Sequence, residues 1–173
     1  MRSALQAQGL RTAASPSEIL EHLNEQVYRD TAANMFVTMV YGVLDCKTSA
    51  FEYANAGHPY PLLFHPGGAM KELEIGGCFL GIAQGVEYAA GHAALVPGSI
   101  LVLYSDGVTD TLSPKGELYG RKRLIDLIQE NMDKTAQEIR DLVFQDSLRF
   151  RGDAEQFDDF TLVIVKNTQS ATS

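Results

Sequence analysis

Two short, almost wholly apolar runs, Ile-Leu-Val-Leu-Tyr at 100–104 and Phe-Thr-Leu-Val-Ile-Val at 160–165, bracket two segments of helical period. Apolar runs of this length, rich in β-branched residues, are expected of buried strands. Between them, 119–131 carries Leu124, Ile125 and Ile128 on one face. Thr135-Ala136-Gln137-Glu138 then caps a second helix whose stripe is Ile139, Leu142, Val143 and Phe150. Buried strands joined through an amphipathic helical pair predict an α+β fold, with antiparallel sheets and the helices packed outside them.

The rest of the chain agrees with that class. Ser15-Pro16-Ser17-Glu18 is a capping box with proline at the first helical position, and Ile19, Leu20, Leu23 and Val27 extend it into a helix over 16–29. Residues 36–44 form a nearly continuous apolar run, which predicts a strand covered on both faces. After a polar turn at 45–49, Phe51 and Tyr53 alternate with Glu52 and Ala54 as in an antiparallel partner. Further strands are expected at 61–64, 72–75 and 86–95, and a helix over 1–10 that begins without an N-cap. At 173 residues, with no repeat or linker, the chain reads as one domain over 1–166 and a frayed polar tail over 167–173.

Charge narrows the function. The balance of 14 Lys+Arg against 22 Asp+Glu gives −8, which argues against nucleic acid and against an anionic membrane surface. No apolar run approaches the roughly 18 residues of a membrane span, and no signal peptide opens the chain, so a cytoplasmic location is expected. Cys46 and Cys78 have no spacing that could hold zinc and read as two buried, reduced thiols. Arg121-Lys122-Arg123 reads as a solvated helix face, and His58, in a Gly-His-Pro loop, as a residue whose ring shapes the turn by bonding backbone.

An acidic excess also suggests carboxylates gathered around a cation. Asp106 follows the 100–104 strand through Ser105, Gly107 lets the chain turn, and Asp110 is four residues on. Asp158-Asp159 directly precedes the 160–165 strand. If the two strands are neighbours, Asp106 and Asp158 converge, and a hard divalent cation relieves their repulsion. Turn and loop-cap roles for these aspartates are the alternative, both being common for Asp.

Read together, Leu103-Tyr104-Ser105-Asp106-Gly107-Val108-Thr109-Asp110, Phe157-Asp158-Asp159-Phe160-Thr161-Leu162 and Ala54-Asn55-Ala56-Gly57-His58-Pro59 resemble the SpoIIE-like branch of the bacterial PPM-type protein serine/threonine phosphatases. Ser15 to Tyr28, Phe79-Leu80-Gly81 and Gly116-Glu117-Leu118-Tyr119-Gly120 extend the match in the same order. The resemblance implies a two-layered β-sandwich flanked by helices, with two manganese or magnesium ions (Mn²⁺ or Mg²⁺). It implies hydrolysis of phosphoserine or phosphothreonine without a phosphoenzyme. Asp106 and Asp158 match metal ligands, and Asp110 matches a more loosely held third position. Asp159 is expected to support the ligands from behind or to shape the turn.

The chain departs from the family pattern at its start, where relatives carry two strands and a GDVSGHG-like metal motif. The expectation is therefore an N-terminally incomplete phosphatase domain with one weak metal site, slow or inactive alone, whose exposed sheet edge favours self-association. The partner implied is a phosphorylated anti-sigma-factor antagonist of the STAS type. The alternative is a catalytically dead, phosphatase-like binding module.

Overall fold

A computed structural model of the protein describes residues 14–30, 35–156 and 158–169, so the helix expected over 1–10 lies outside the described residues. The elements run α1 (Pro16–Asp30), β1 (Met39–Asp45), β2 (Ala50–Ala56), β3 (Leu62–Phe64), β4 (Met70–Glu72) and β5 (Gly91–Ala94). They continue with β6 (Ile100–Tyr104), α2 (Asp106–Thr109), α3 (Gly120–Gln129), α4 (Ala136–Arg151) and β7 (Leu162–Lys166). Two compact units result, residues 1–60 with 73–94 and residues 61–72 with 95–173.

The first unit holds an antiparallel sheet of order β1-β2-β5. α1 starts at the capping box: Ser15 Oγ accepts from the Glu18 amide at 3.4 Å, and the Glu18 carboxylate accepts from the Ser15 amide at 2.8 Å. Ile19, Leu20, Leu23 and Val27 then bury against Ala54, Ala56, Leu80 and Tyr88. Asn24 is fully buried on the same helix. Its Nδ2 donates to the Ala83 carbonyl at 2.8 Å and its Oδ1 accepts from the Gly81 amide at 2.9 Å, which fastens the loop before β5 to the helix.

Two expectations fail in this unit. β1 starts at Met39 and has no buried residue, and Phe36 and Val43 are exposed. It is the end strand of its sheet, and an apolar run by itself does not distinguish an end strand from a doubly covered one. Cys46 and Cys78 are both exposed. Asp45 Oδ1 accepts from the Lys47 amide at 2.8 Å, and this tight turn carries Cys46 outward. The His58 ring meets the Thr38 hydroxyl at 3.0 Å. The turn itself is held by buried Asn55, which brackets the His58 main chain from both sides at 2.8 and 2.9 Å.

The second unit holds an antiparallel sheet of order β4-β3-β6-β7. Its core joins Leu62, Phe64, Ile100, Val102 and Tyr104 of the central strands to Leu124 and Ile128 of α3 and Ile139 and Val143 of α4. β4 lies at 70–72 where 72–75 was expected, because the hairpin closes at His65 and Ala69 and so pairs Phe64 with Met70. β7 begins at Leu162 and is half-buried, since it too ends its sheet. Asn167 is not frayed: its amide and carbonyl pair with Ser99 and Gly98, and its side chain donates to Leu95.

The Arg121-Lys122-Arg123 run is paired and not simply solvated. Arg121 bonds Glu72, Lys122 bonds Asp126, and Arg123 grips Asp146 with two hydrogen bonds of 2.7 and 2.9 Å. The Arg123 guanidinium also lies 5.2 Å from the Tyr119 ring centre and 4.8 Å from that of Phe150, and the Tyr119 hydroxyl donates to Asp146. α3 and α4 are thereby locked at one end. Among the described residues no helix is long and apolar enough to cross a membrane.

Two outcomes follow from these contacts. Asn24→Ala leaves a buried N–H and C=O unmet and is expected to cost about 1–3 kcal/mol in urea denaturation. For Asp146, hydrogen bonds from Arg123, followed by that from Tyr119, hold the carboxyl below the usual carboxylate range. A lowered folded pKa means its contribution is complete above the unfolded value, about 3.9, and is lost as pH falls through the folded one. Asp146→Asn is expected to be less stable than wild type at neutral pH and to lose less stability on acidification from about pH 6 to about pH 3. Denaturant midpoints at the two pH values check this.

Candidate active site

Antiparallel pairing of Tyr104 with Leu162 sets the end of β6 beside the start of β7. The ladder continues past the strands. The Ser105 amide donates to the Thr161 carbonyl at 3.0 Å, the Thr161 amide donates to Ser105 Oγ at 3.0 Å, and that hydroxyl donates to the Asp159 carbonyl at 2.9 Å. Ser105 is the N-cap of α2, yet its side chain makes no cap hydrogen bond, being committed to the other strand. A Cβ on Gly107 would lie 2.3 Å from the Asp159 carbonyl oxygen and 3.4 Å from the Asp158 carbonyl carbon. Only glycine admits this approach, and it brings Asp106 and Asp158 to adjoining chain ends.

The carboxylates are fixed locally and exposed. Asp106 Oδ1 accepts from the Gly107 amide at 3.0 Å, and Asp158 Oδ1 accepts from the Asp159 amide at 2.7 Å. Each therefore has one carboxylate oxygen oriented by a main-chain amide. Asp110 closes α2: its amide donates to the Asp106 carbonyl at 2.8 Å, and its Oδ1 accepts from Thr109 Oγ1 at 3.1 Å. Asp159 contributes its main-chain carbonyl to Ser105, as a turn residue would. Among the described residues no group of three or more His, Cys, Asp or Glu is gathered in metal-binding geometry. The donor set of two hard, exposed carboxylates fits one divalent cation of the magnesium type, which retains several waters.

Two features of this end carry no sequence signal, since each depends on where α4 ends in space. One is a cavity of about 120 Å³ whose wall includes Asp110, Asp158 and residues of α4. The other is a relay from the helix end, in which Arg151 Nη1 donates to Gln156 Oε1 and Gln156 Nε2 donates to the Asp158 carbonyl, both at 2.9 Å. His58 lies in the first unit.

Comparison with known proteins converges on one family. The model for Stage II sporulation protein E (SpoIIE) matches residues 1–168. The chain is 35% identical over 156 residues to the phosphoserine phosphatase RsbU of Bacillus subtilis strain 168, covering 90% of this chain and 46% of the relative. It is 27% identical over 162 residues to the phosphoserine phosphatase RsbP of the same organism, covering 92% of this chain and 38% of the relative. The chain thus spans less than half the length of both curated relatives. The SiaA-PP2C domain of Pseudomonas aeruginosa superposes with a TM-score of 0.80 at 20% identity, over 95% of this chain and 65% of that one. That likeness shows the fold, α+β with antiparallel sheets, as expected from the sequence.

The approach at Gly107 is the contact most open to test. Gly107→Ala is expected to force the β6 and β7 ends apart at a cost of about 1–3 kcal/mol, read as a lowered urea midpoint. A midpoint equal to wild type would show that the junction yields freely.

Proposed function

Because the chain belongs to the stage II sporulation protein E (SpoIIE) family, we propose that it is a metal-dependent phosphatase domain acting on phosphoserine or phosphothreonine of a regulatory protein. The observation that carries this reading is the adjoining of Asp106 and Asp158, at the family's motif positions, through the β6–β7 pairing. The phosphoserine phosphatases among its relatives support the reaction class.

The reaction is hydrolysis. The bond from phosphorus to the seryl oxygen breaks, water supplies a hydroxyl to phosphorus, and its proton goes to the seryl oxygen. A bound Mn²⁺ or Mg²⁺ supplies positive charge for the phosphoryl oxygens and lowers the pKa of water. Asp106 and Asp158 would hold it, their orientation set by the Gly107 and Asp159 amides. Asp110, one turn from Asp106, would stand at the family's more loosely held third position. Two carboxylates bind such an ion weakly, so turnover is expected to be slow and to need a high metal concentration. The substrate we assign is a phosphorylated anti-sigma-factor antagonist of the STAS type, on family membership alone. Self-association through β1 belongs to the same reading, since β1 ends its sheet and leaves Val43 exposed.

Hydrolysis of a small aryl phosphate across a Mn²⁺ titration, with Mn²⁺ binding followed in parallel by electron paramagnetic resonance, tests the assignment. Saturable turnover is expected, with both binding and turnover lost in Asp106→Asn and Asp158→Asn by more than the roughly 10–100-fold typical of supporting residues. Turnover unchanged in both variants would remove the metal from these aspartates. No turnover by wild type at millimolar Mn²⁺ would leave the binding-module reading in its place.

A further inference from the structure

Beside the aspartates, the cavity between α2 and the end of α4 has no part in the hydrolysis described above. Its wall is mainly apolar, built from Leu112, Phe144, Leu148 and Phe160, and its rim carries Asp110, Asp158 and Glu155. Phe144 is 43% exposed and packs edge-on against Phe160 at 5.6 Å. Exposure of a phenylalanine here leaves apolar surface facing an opening next to the proposed reaction centre.

We propose that this cavity receives an apolar side chain of the phosphoprotein substrate, from a residue flanking the phosphoserine. The inference rests on the phosphatase reading and adds a selectivity to it. Three observations specify the occupant. Continuity is the first: Asp110 and Asp158 border both the cavity and the proposed metal position, so a phosphoserine engaged there places its neighbours at the rim. Size is the second. At about 120 Å³ the space suits one aliphatic side chain, since an apolar cavity of about 150 Å³ takes up benzene.

Charge is the third. Three carboxylates at the rim against the single guanidinium of Arg151 repel an acidic flanking residue. Arg151 lines the cavity with its Nη1 already bonded to Gln156, so its charge is partly engaged within the wall. A lysine or arginine could meet the rim but would find no acceptor against the phenylalanine and leucine walls. An aliphatic neighbour satisfies both constraints.

The test uses the full chain in Mn²⁺ and three peptides carrying a non-hydrolysable phosphonate analogue of phosphoserine, flanked on both sides by leucine, alanine or aspartate. Binding is read by fluorescence anisotropy and by the methyl NMR signals of Leu112 and Leu148. The leucine peptide is expected to bind about tenfold tighter than the alanine peptide, the increment of burying an aliphatic side chain in part, and the aspartate peptide weakest. Only the leucine peptide is expected to move both methyl signals. Phe144→Ala should erase the leucine preference and Phe144→Leu retain it. Equal, phosphonate-dependent binding of all three peptides overturns the cavity's role and leaves the phosphatase reading intact. Failure of every peptide to bind overturns the cavity proposal too, and aryl phosphate turnover then decides the phosphatase reading separately.

Discussion

A main-chain contact closer than any side chain tolerates underlies the candidate site: Gly107 against the Asp158–Asp159 backbone. The contact is the end of a rigid train. Ile100 and Val102 of β6 are fully buried beneath α3 and α4, so the strand that delivers Asp106 has little freedom to shift. β7 is paired to it over five residues, from Ile100–Lys166 to Tyr104–Leu162. Ser105 then carries the pairing one step beyond the strands by giving its hydroxyl to the opposite chain. Position thus passes from the core to two carboxylates without relying on a flexible loop, as a metal site built on strand ends requires.

The placement of the acids answers an energetic problem. Asp106, Asp110 and Asp158 carry like charge within one short region, and burying them together would raise the cost of ionisation steeply. They are exposed instead, where water and salt screen their repulsion. Orientation is therefore supplied by neighbouring main-chain amides and the Ser105 bridge, not by burial. Elsewhere in the same unit a half-buried acid is handled differently: Asp146 is neutralised by Arg123 and joined by the Tyr119 hydroxyl. One acid serves structure and is fully partnered, whereas the others lie exposed with only local hydrogen bonds.

Which parts were readable in the sequence follows from the range of the forces involved. Capping boxes at Ser15 and Thr135 and the run at 100–104 are local patterns, and each produced its element where expected. The carboxylates were found because Asp106-Gly107 and Asp158-Asp159 flank such runs, and only the pairing of the strands had to be supplied. Covering was less accessible. The 36–44 run and the two cysteines were expected to be buried, yet local apolarity is the same in an end strand as in a central one, and a turn can carry a thiol outward. β4 slipped by two residues because register is set by the hairpin that closes at His65 and Ala69, not by propensity. The cavity and the Arg151–Gln156–Asp158 relay left no trace, since both depend on where a sixteen-residue helix happens to end.

The short helix α2 couples what would otherwise be separate features. Its single turn places Asp110 one step beyond Asp106, bonded back to it through the main chain, and Gly107 and Asp110 also form part of the cavity wall. The proposed metal position and the apolar cavity therefore share one rigid element on one side. The opposite wall belongs to α4, through Phe144 and Leu148, which make no hydrogen bond to any of the aspartates. On the proposed reading, changes on the α2 side act on hydrolysis and on substrate choice together. Changes on the α4 side would act on choice alone, so the proposed chemistry at the strand ends sits beside a surface on which selectivity can vary.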